Sequence, residues 1–418
     1  MAPRLGEELK SRRERLGLTQ RAVAEQLGVQ RASLAQWEGG RHLPSAEHTQ
    51  RLDEIYGARG ALVALADGAR RGGMMASPRA FRSVGDVFAD VARALVDKMH
   101  KDPEGRPLGW AHNLVGNRPT PLSTAFVIRT LQQIDDAQVD LHALGRALVE
   151  RRKDGGWTNR VVLQGRPEVT AVILSALARL GMLTDVDSEI EKLGQSVDDL
   201  ARSRPYVLSA VLEAVLAIRP GARVIDDLVD ALLEARMPVG DALLWPANAA
   251  APAELLEPSL AHTARATTVL RLARGARSRP DVDEAVDMGT RWIVARSKED
   301  DGTTELLEPD PGNKAADISV NHFTAAWVVR ALAGRDGVPP QRLNAAVKTV
   351  WNTYSASRHL WVWRADGRLP SWMTHDAVAA LRALAEAAVS SPVPLDTGAP
   401  DTGTATPAAS GEQRRSLR

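Results

Sequence analysis

The chain contains no cysteine. That absence excludes a disulfide framework, a thiol nucleophile and any zinc or iron–sulfur site with cysteine ligands, and it agrees with a reducing compartment. Aromatic residues are also scarce, at 4%, and Trp supplies 10 of them against 3 Tyr and 4 Phe. No uncharged apolar run approaches the roughly 18 residues that a membrane span needs. The segment Met1–Glu8 carries charge where a signal peptide needs an apolar stretch. The expectation is a protein without membrane contact that stays in the cytoplasm. Lysine is rare as well, 8 residues against 45 arginines, which reads as the imprint of a GC-rich genome before it reads as function. What is present is ample for folding. The 418 residues are 44% hydrophobic and 25% charged, enough for a sizeable core and for two or three domains at roughly 100–200 residues each.

The formal net charge of +1 conceals an uneven distribution. Residues 1–82 carry 14 Lys and Arg against 9 Asp and Glu, a net +5, whereas residues 83–390 carry 36 against 40, a net −4. A basic head on a mildly acidic body points to nucleic-acid contact by the head alone.

The head reads as five short helices. Arg4–Leu16 places Leu5, Leu9 and Leu16 at helical spacing. Gly17 ends it, and Thr19 offers an N-cap hydroxyl to a second helix, Gln20–Leu27. Gly28 breaks that helix, and a third runs over about Arg31–Glu38 before Gly39 and Gly40. Ala46–Tyr56 and Gly60–Asp67 complete the set. Helix, glycine-containing turn, helix is the helix-turn-helix unit, whose second helix enters the major groove.

The run Leu18-Thr19-Gln20-Arg21-Ala22-Val23-Ala24-Glu25-Gln26-Leu27-Gly28-Val29, followed by Leu34, Trp37-Glu38-Gly39-Gly40-Arg41 and Pro44-Ser45, resembles the Cro/C1-type (XRE) helix-turn-helix family. The resemblance implies that Gln20, opening the second helix, bonds a phosphate with help from the helix dipole. It implies that Gln30, Arg31, Ala32 and Gln36 face the groove. There Arg31 would bond guanine, Gln36 adenine, and Ala32 would offer only a methyl contact. Arg41 would hold backbone phosphate, and the Arg13–Glu38 pair would tie the first helix to the third. Gln30 stands where the family usually has Ser or Thr, so the cap of the third helix is in doubt. Arg12, Arg15 and Arg21 read as a solvated face, and Trp37 as core.

Residues 68–82 are glycine-containing and aperiodic, hence a linker. Beyond them a weak repeat appears. Ala-rich apolar helices begin near Ser123, Val169, Leu208, His262, Phe323 and His375. Amphipathic partners cover about Val84–His100, Asp140–Arg152, Ser188–Arg202, Arg223–Arg236, Val282–Ser297 and Pro340–Ser357. Helices apolar on more than one face belong inside, and partners with charged faces belong outside. Six pairs so arranged predict an all-α chain: a five-helix head (1–67) and an (α/α)6 toroid over 83–390. An open solenoid is the alternative. From Ser390 the composition of Pro, Thr, Gly, Ala and Ser predicts a disordered tail, 391–418.

The turns Leu148–Trp157 and Trp292–Gly302, with Trp110, Trp245 and Trp363 at comparable places, resemble the repeat of the terpenoid cyclase/prenyltransferase toroids. The chemistry of that group does not follow. Its Asp-x-Asp-Asp acid has no counterpart, because Asp281-Val282-Asp283-Glu284 follows Pro280 and reads as a helix N-terminus. Its zinc site needs a cysteine. No catalytic residue, metal or cofactor is therefore expected. The N-terminal ends of the inner helices should meet at one mouth, where His262, His322 and His375 lie, with Glu168, Asp317 and Asp376 nearby. Trp363, Trp372, Trp327 and Phe323 complete the expected ligand pocket, in which converging dipoles favour an anionic ligand. The reading that results is a DNA-binding transcriptional regulator, a homodimer on a double-stranded operator. Its toroid takes an isoprenoid-like or anionic small molecule, or a protein partner. The alternative is a toroid enzyme of cyclase or transferase type fused to a regulatory head.

Overall fold

The computed structural model describes residues 2–39, 42, 44–58, 61–63, 66, 83–134, 139–153, 156–157, 166–276, 278–296, 303–308, 318–363 and 366–390. The chain divides into two compact units, residues 1–83 and 84–418.

In the first unit, α1 (Ala2–Arg15), α2 (Gln20–Leu27), α3 (Arg31–Glu38) and α4 (Ala46–Ile55) surround a core of Leu5, Leu9, Val23, Leu27, Leu34, Leu52 and Leu62. The Thr19 hydroxyl accepts from the Ala22 N–H at 3.1 Å and starts α2. Gly28, with φ of 70°, ends it in the left-handed conformation that favours glycine. Gln30 precedes α3 without a side-chain cap, and Ser45 caps α4. Residues 61–63 and 66 are helical, and the rest of the expected fifth helix lies outside the described residues. So do the linker, 68–82, and the tail, 391–418.

The second unit is the predicted toroid. The outer helices are α5 (Val84–Asp97), α7 (Leu141–Glu150), α9 (Val186–Gln195), α12 (Val224–Glu234), α14 (Pro280–Ala295) and α16 (Pro340–Asn352). The inner ones are α6 (Pro121–Ile134), α8 (Pro167–Arg179), α11 (Pro205–Ile218), α13 (Leu260–Ala276), α15 (Thr324–Leu332) and α17 (Ser371–Ser390). A single turn, α10 (Asp199–Arg202), precedes α11. Each inner helix packs on the next, and α17 packs back on α6, which closes the ring and excludes the open solenoid. Small residues permit the approach. A Cβ on Gly289 of α14 would stand 2.3 Å from the Thr267 hydroxyl of α13, so glycine is required there.

The connections from outer to inner helices are not the plain polar loops that the sequence suggests. Four contain antiparallel hairpins: β1 (His100–Lys101) with β2 (Pro107–Gly109), β3 (Met237–Val239) with β4 (Ala242–Leu244), β5 (Thr303–Glu308) with β6 (Ile318–His322), and β7 (Tyr354–Ser355) with β8 (Leu360–Trp361). Pairing satisfies backbone groups that a long irregular loop would leave to water.

A tryptophan fixes these connections to the helices before them. The indole N–H of Trp110 donates to the Leu95 carbonyl, Trp157 to Leu148 and Trp245 to Leu232, each at 2.7 Å, and Trp361 donates to Val350 at 3.0 Å. Every acceptor is the third residue from the end of its outer helix, one of the carbonyls that a helix leaves without an intrahelical partner. In the remaining two pairs the same position is served otherwise. Ser196 Oγ donates to Leu193, and Arg342 Nε to Ile293. The tryptophan that occupies this place in the last pair is Trp361, not Trp363. A buried carbonyl left unpaired costs about 1–3 kcal/mol. Trp245→Phe should therefore lower unfolding stability by at least that much in a denaturant titration. Trp292→Phe removes a half-buried ring that lies under Arg296, and should change stability far less. Equal losses in the two variants would refute the role given to the indole N–H.

Candidate functional site

In the first unit one helix face is free and the other is fastened. Leu34 and Glu38 of α3 are buried, whereas Arg31, Ala32 and Gln36 are exposed. Arg13 Nε and Nη2 clasp the two Glu38 oxygens at 2.6 and 3.0 Å, and Gln20 Nε2 donates to Glu38 Oε2 at 2.9 Å. That hydrogen bond from Arg13 to Glu38 raises the guanidinium pKa, against the opposing effect of burial. The ion pair is bidentate and largely buried, which gives it geometric value that exposed pairs lack. It sets α3 against α1 and α2. Trp37 packs on the core and against the His48 ring, with centroids 5.3 Å apart. Gln30 is exposed, and Arg41 lies outside the described residues.

In the second unit the N-terminal ends of the inner helices surround a cavity of about 350 Å³. Four of the eight expected pocket residues line it: Trp327, Trp372, His375 and Asp376. The other four do not. Phe323 is fully buried at the start of α15 and belongs to the packed core. Trp363 forms a backbone bridge to Arg368 and meets Trp372 edge-on, so it supports a wall residue from behind. His262 and His322 are buried in the adjoining wall, and Asp317 lies outside the described residues.

The cavity is charged as well as aromatic. Trp327 Nε1 donates to Asp376 Oδ2 at 3.0 Å, and the guanidiniums of Arg265 and Arg330 lie over the Trp327 ring at 3.8 and 4.1 Å. Arg330 Nη2 donates to Glu213 at 2.6 Å. Burial pushes the Asp376 carboxyl up, against the charges of Arg265 and Arg330. Burial acts on Glu213 in the same sense, but Arg330 and Arg129 together overcome it and hold that carboxyl below the usual range. His375 sits within 3.4 Å of the Thr130 hydroxyl, and burial, then the charge of Arg129, keep its pKa well below the ordinary value. Two buried atoms in this wall have no hydrogen-bond partner among the described residues, Glu168 Oε2 and Arg265 Nε.

His262 and His322 do come together, without His375. Both Nε2 atoms address Glu305 Oε2, at 2.9 and 3.0 Å, and the rings meet edge to face. Arg204 Nη1 reaches the other Glu305 oxygen at 3.3 Å, and Ser259 Oγ lies 2.7 Å from His262 Nδ1. Two imidazoles and a carboxylate form the single group among the described residues whose donor atoms are close enough to hold a metal ion. The surroundings suit hydrogen bonds better. Arg204 already neutralises Glu305, and among the described residues His322 Nδ1 has no acceptor for the proton that a metal-bound imidazole must place there. As a hydrogen-bonded clasp the group ties β5 and β6 to the start of α13.

Sequence reasoning missed Glu305, Arg204, Arg265, Glu213 and Arg129. For two of them a signal existed. Arg129 and Glu213 each stand alone as the single charge of a largely apolar helix, and charges are rarely buried unless they are paired. Glu305 gives no such signal, because its partners lie on other elements.

Residues 4–66 match the family model of a helix-turn-helix domain. No curated protein sequence matches the chain. Among solved structures, the toroid is similar to the GH76A α-1,6-mannanase of Salegentibacter sp. HEL1_6, at 11% identity and a TM-score of 0.47 over 73% of this chain and 100% of that one. An inactive variant of that enzyme in complex with α-1,6-mannotriose gives the same figures. The endo-β-1,4-glucanase CMCax of Acetobacter xylinum is 13% identical, with a TM-score of 0.34 over 72% of this chain and 99% of that one.

The clasp makes stability depend on pH. Burial lowers the His322 pKa from 6.5 to about 3, although the Glu305 hydrogen bond works the other way. Burial raises the Glu305 pKa, but the bonds from His262 and His322 outweigh it and bring the carboxyl from 4.5 to about 2. Both folded-state values lie below the unfolded ones, so both contributions are present at neutral pH and are lost on acidification. The loss from His322 begins near pH 6.5, and that from Glu305 near pH 4.5. One such group changes stability by about 1.4 kcal/mol per pH unit inside its window. His322→Asn should flatten the curve of stability against pH between 6 and 5 by about that slope. An unchanged slope would show that His322 does not titrate as described.

Proposed function

We propose that the chain is a sequence-specific DNA-binding transcriptional regulator of XRE type whose toroid binds a small molecule in the cavity at the inner-helix N-termini. The observation that carries the first half is the exposure of Arg31, Ala32 and Gln36 on one face of α3, while Arg13 and Gln20 hold Glu38 on the other. A helix fastened in this way can enter a major groove as a rigid body. Arg31 reads guanine and Gln36 reads adenine. Gln20 keeps one amide hydrogen on Glu38 and offers the second to a phosphate at the start of α2. Gln30 and Ala32 face the groove beside Arg31 and Gln36, and Arg41 contacts backbone phosphate after α3. Such a head meets a two-part operator as a homodimer, and its place of work is the nucleoid in the cytoplasm. The domains are the head, 1–67, the linker, 68–82, the toroid, 83–390, and the tail, 391–418.

The cavity supports the second half. It combines Trp327, Trp372 and Phe126 with Asp376, His375 and Arg265, an aromatic wall with a few polar groups. A specific observation favours a second reading, an enzymatic toroid. Asp376 and Glu213 face one cavity with their pKa values pushed in opposite directions, the arrangement of an acid beside a permanent carboxylate. A ligand recovered unchanged after incubation with the protein supports the sensor. A ligand converted by the protein, but not by Asp376→Asn, supports the enzyme.

For DNA recognition the test is selection of a binding site from random duplexes, followed by Arg31→Ala and Gln36→Ala. Each should cost about 1–3 kcal/mol on the selected site and relax the preference at one base pair. Unchanged affinity and preference in both variants would overturn the groove assignment.

A further inference from the structure

At the opposite end of the toroid the C-terminal halves of the inner helices surround a larger recess, of about 640 Å³. Its lining is unusual in charge. Five arginines, Arg129, Arg179, Arg271, Arg330 and Arg382, face two carboxylates, Glu213 and Glu386.

Three of the five are engaged. Arg330 holds Glu213. Arg271 donates to the carbonyls of Arg330 and Ala333, at 2.7 and 2.8 Å, and so caps the C-terminus of α15. Arg382 holds Glu386 and the Gln133 carbonyl. The negative ends of the helices explain some positive charge here, but that influence fades within the last turn. Arg129 stands five residues before the end of α6 and forms no hydrogen bond to a carboxylate or carbonyl among the described residues. Its nearest acid, Glu213, is 3.9 Å away and already taken by Arg330. Arg179, the last residue of α8, has no ion pair among the described residues and is exposed at the rim. A largely buried guanidinium with spare donors below and an exposed one above give the recess two uncommitted donor forks beside three engaged ones, and an excess of positive charge. The guanidiniums of Arg330 and Arg179 already depress the Arg129 pKa, after burial, which is the penalty that a bound anion would relieve.

We infer that this recess is an anion site that takes a small, multiply charged phosphate-type group, such as the diphosphate moiety of a metabolite. Guanidinium forks match phosphate oxygens two at a time. Arg129 and Arg330 lie too deep in a concave recess for the backbone of a DNA duplex, so the ligand is a small molecule. The recess opens at the other end of the ring from the first cavity, and Arg129 and Glu213 line both.

The test is isothermal titration of inorganic pyrophosphate into the full-length protein at low and constant ionic strength. Saturable binding is expected, weakened at least tenfold by Arg179→Glu with Arg382→Ser, two exposed positions whose change should leave the melting temperature nearly unaltered. The head variant Arg31→Ala should bind pyrophosphate as the parent does, because the ion does not sit on the DNA-binding surface. Absence of saturable binding overturns the inference. So does weakening by Arg31→Ala but not by the toroid variants, or an equal response to the same concentration of chloride. If the double variant melts early, Arg179→Glu alone replaces it, with the same tenfold weakening expected and an unchanged affinity counting against the site.

Discussion

The toroid rests on how it treats the last turn of its outer helices. Each ends with carbonyls that no residue of the same helix can satisfy. Four indoles, one serine hydroxyl and one guanidinium reach the same carbonyl, third from the end, in the six outer helices. An indole does two things at once: it donates one directed hydrogen bond and it fills a large apolar volume. The bond fixes where the connection leaves the outer helix. In the first and fourth pairs the tryptophan carbonyl also accepts from Thr120 and Ser259, just before the inner helix begins. The start of the inner helix is set by the same residue that closes the outer one.

That placement decides what stands at each mouth. Most inner helices are largely apolar, yet buried charges interrupt them. Arg129, Glu213, Arg265 and Arg330 form a belt across the inside of the ring, with Glu213 shared between two guanidiniums. Buried charges are tolerated only when they are paired, and here the pairing is incomplete. The partial mismatch gives one cavity an acid of raised pKa beside an ionised carboxylate, and the other recess an excess of arginine. The head follows a simpler rule. Its buried carboxylates are satisfied: Asp53 accepts from the Leu62 N–H, and Glu38 is held by Arg13 and Gln20, which holds the exposed face of α3 rigid.

Much of the architecture was legible in the residues. Helix limits in the head followed from Gly17, Thr19 and Gly28, because caps and breakers act over three or four residues. The six pairs followed from apolar periodicity, and the reading of Asp281 and Asp283 as a helix N-terminus agrees with their place in the first turn of α14. The hairpins were not legible. Strands of two or three residues carry too little alternation to stand out from loop. Trp363 was mistaken for Trp361 because two tryptophans two residues apart point the same way in a strand, and only the neighbouring helix distinguishes them.

By itself the sequence determined the all-α class, the helix-turn-helix head and the ring of helix pairs, because each depends on local spacing. The tertiary structure alone decided that His262 and His322 meet over Glu305 away from His375. It also decided that Phe323 is core and that five arginines gather at the second mouth. These residues lie tens to hundreds of positions apart, and no local pattern encodes which faces the closing of the ring brings together.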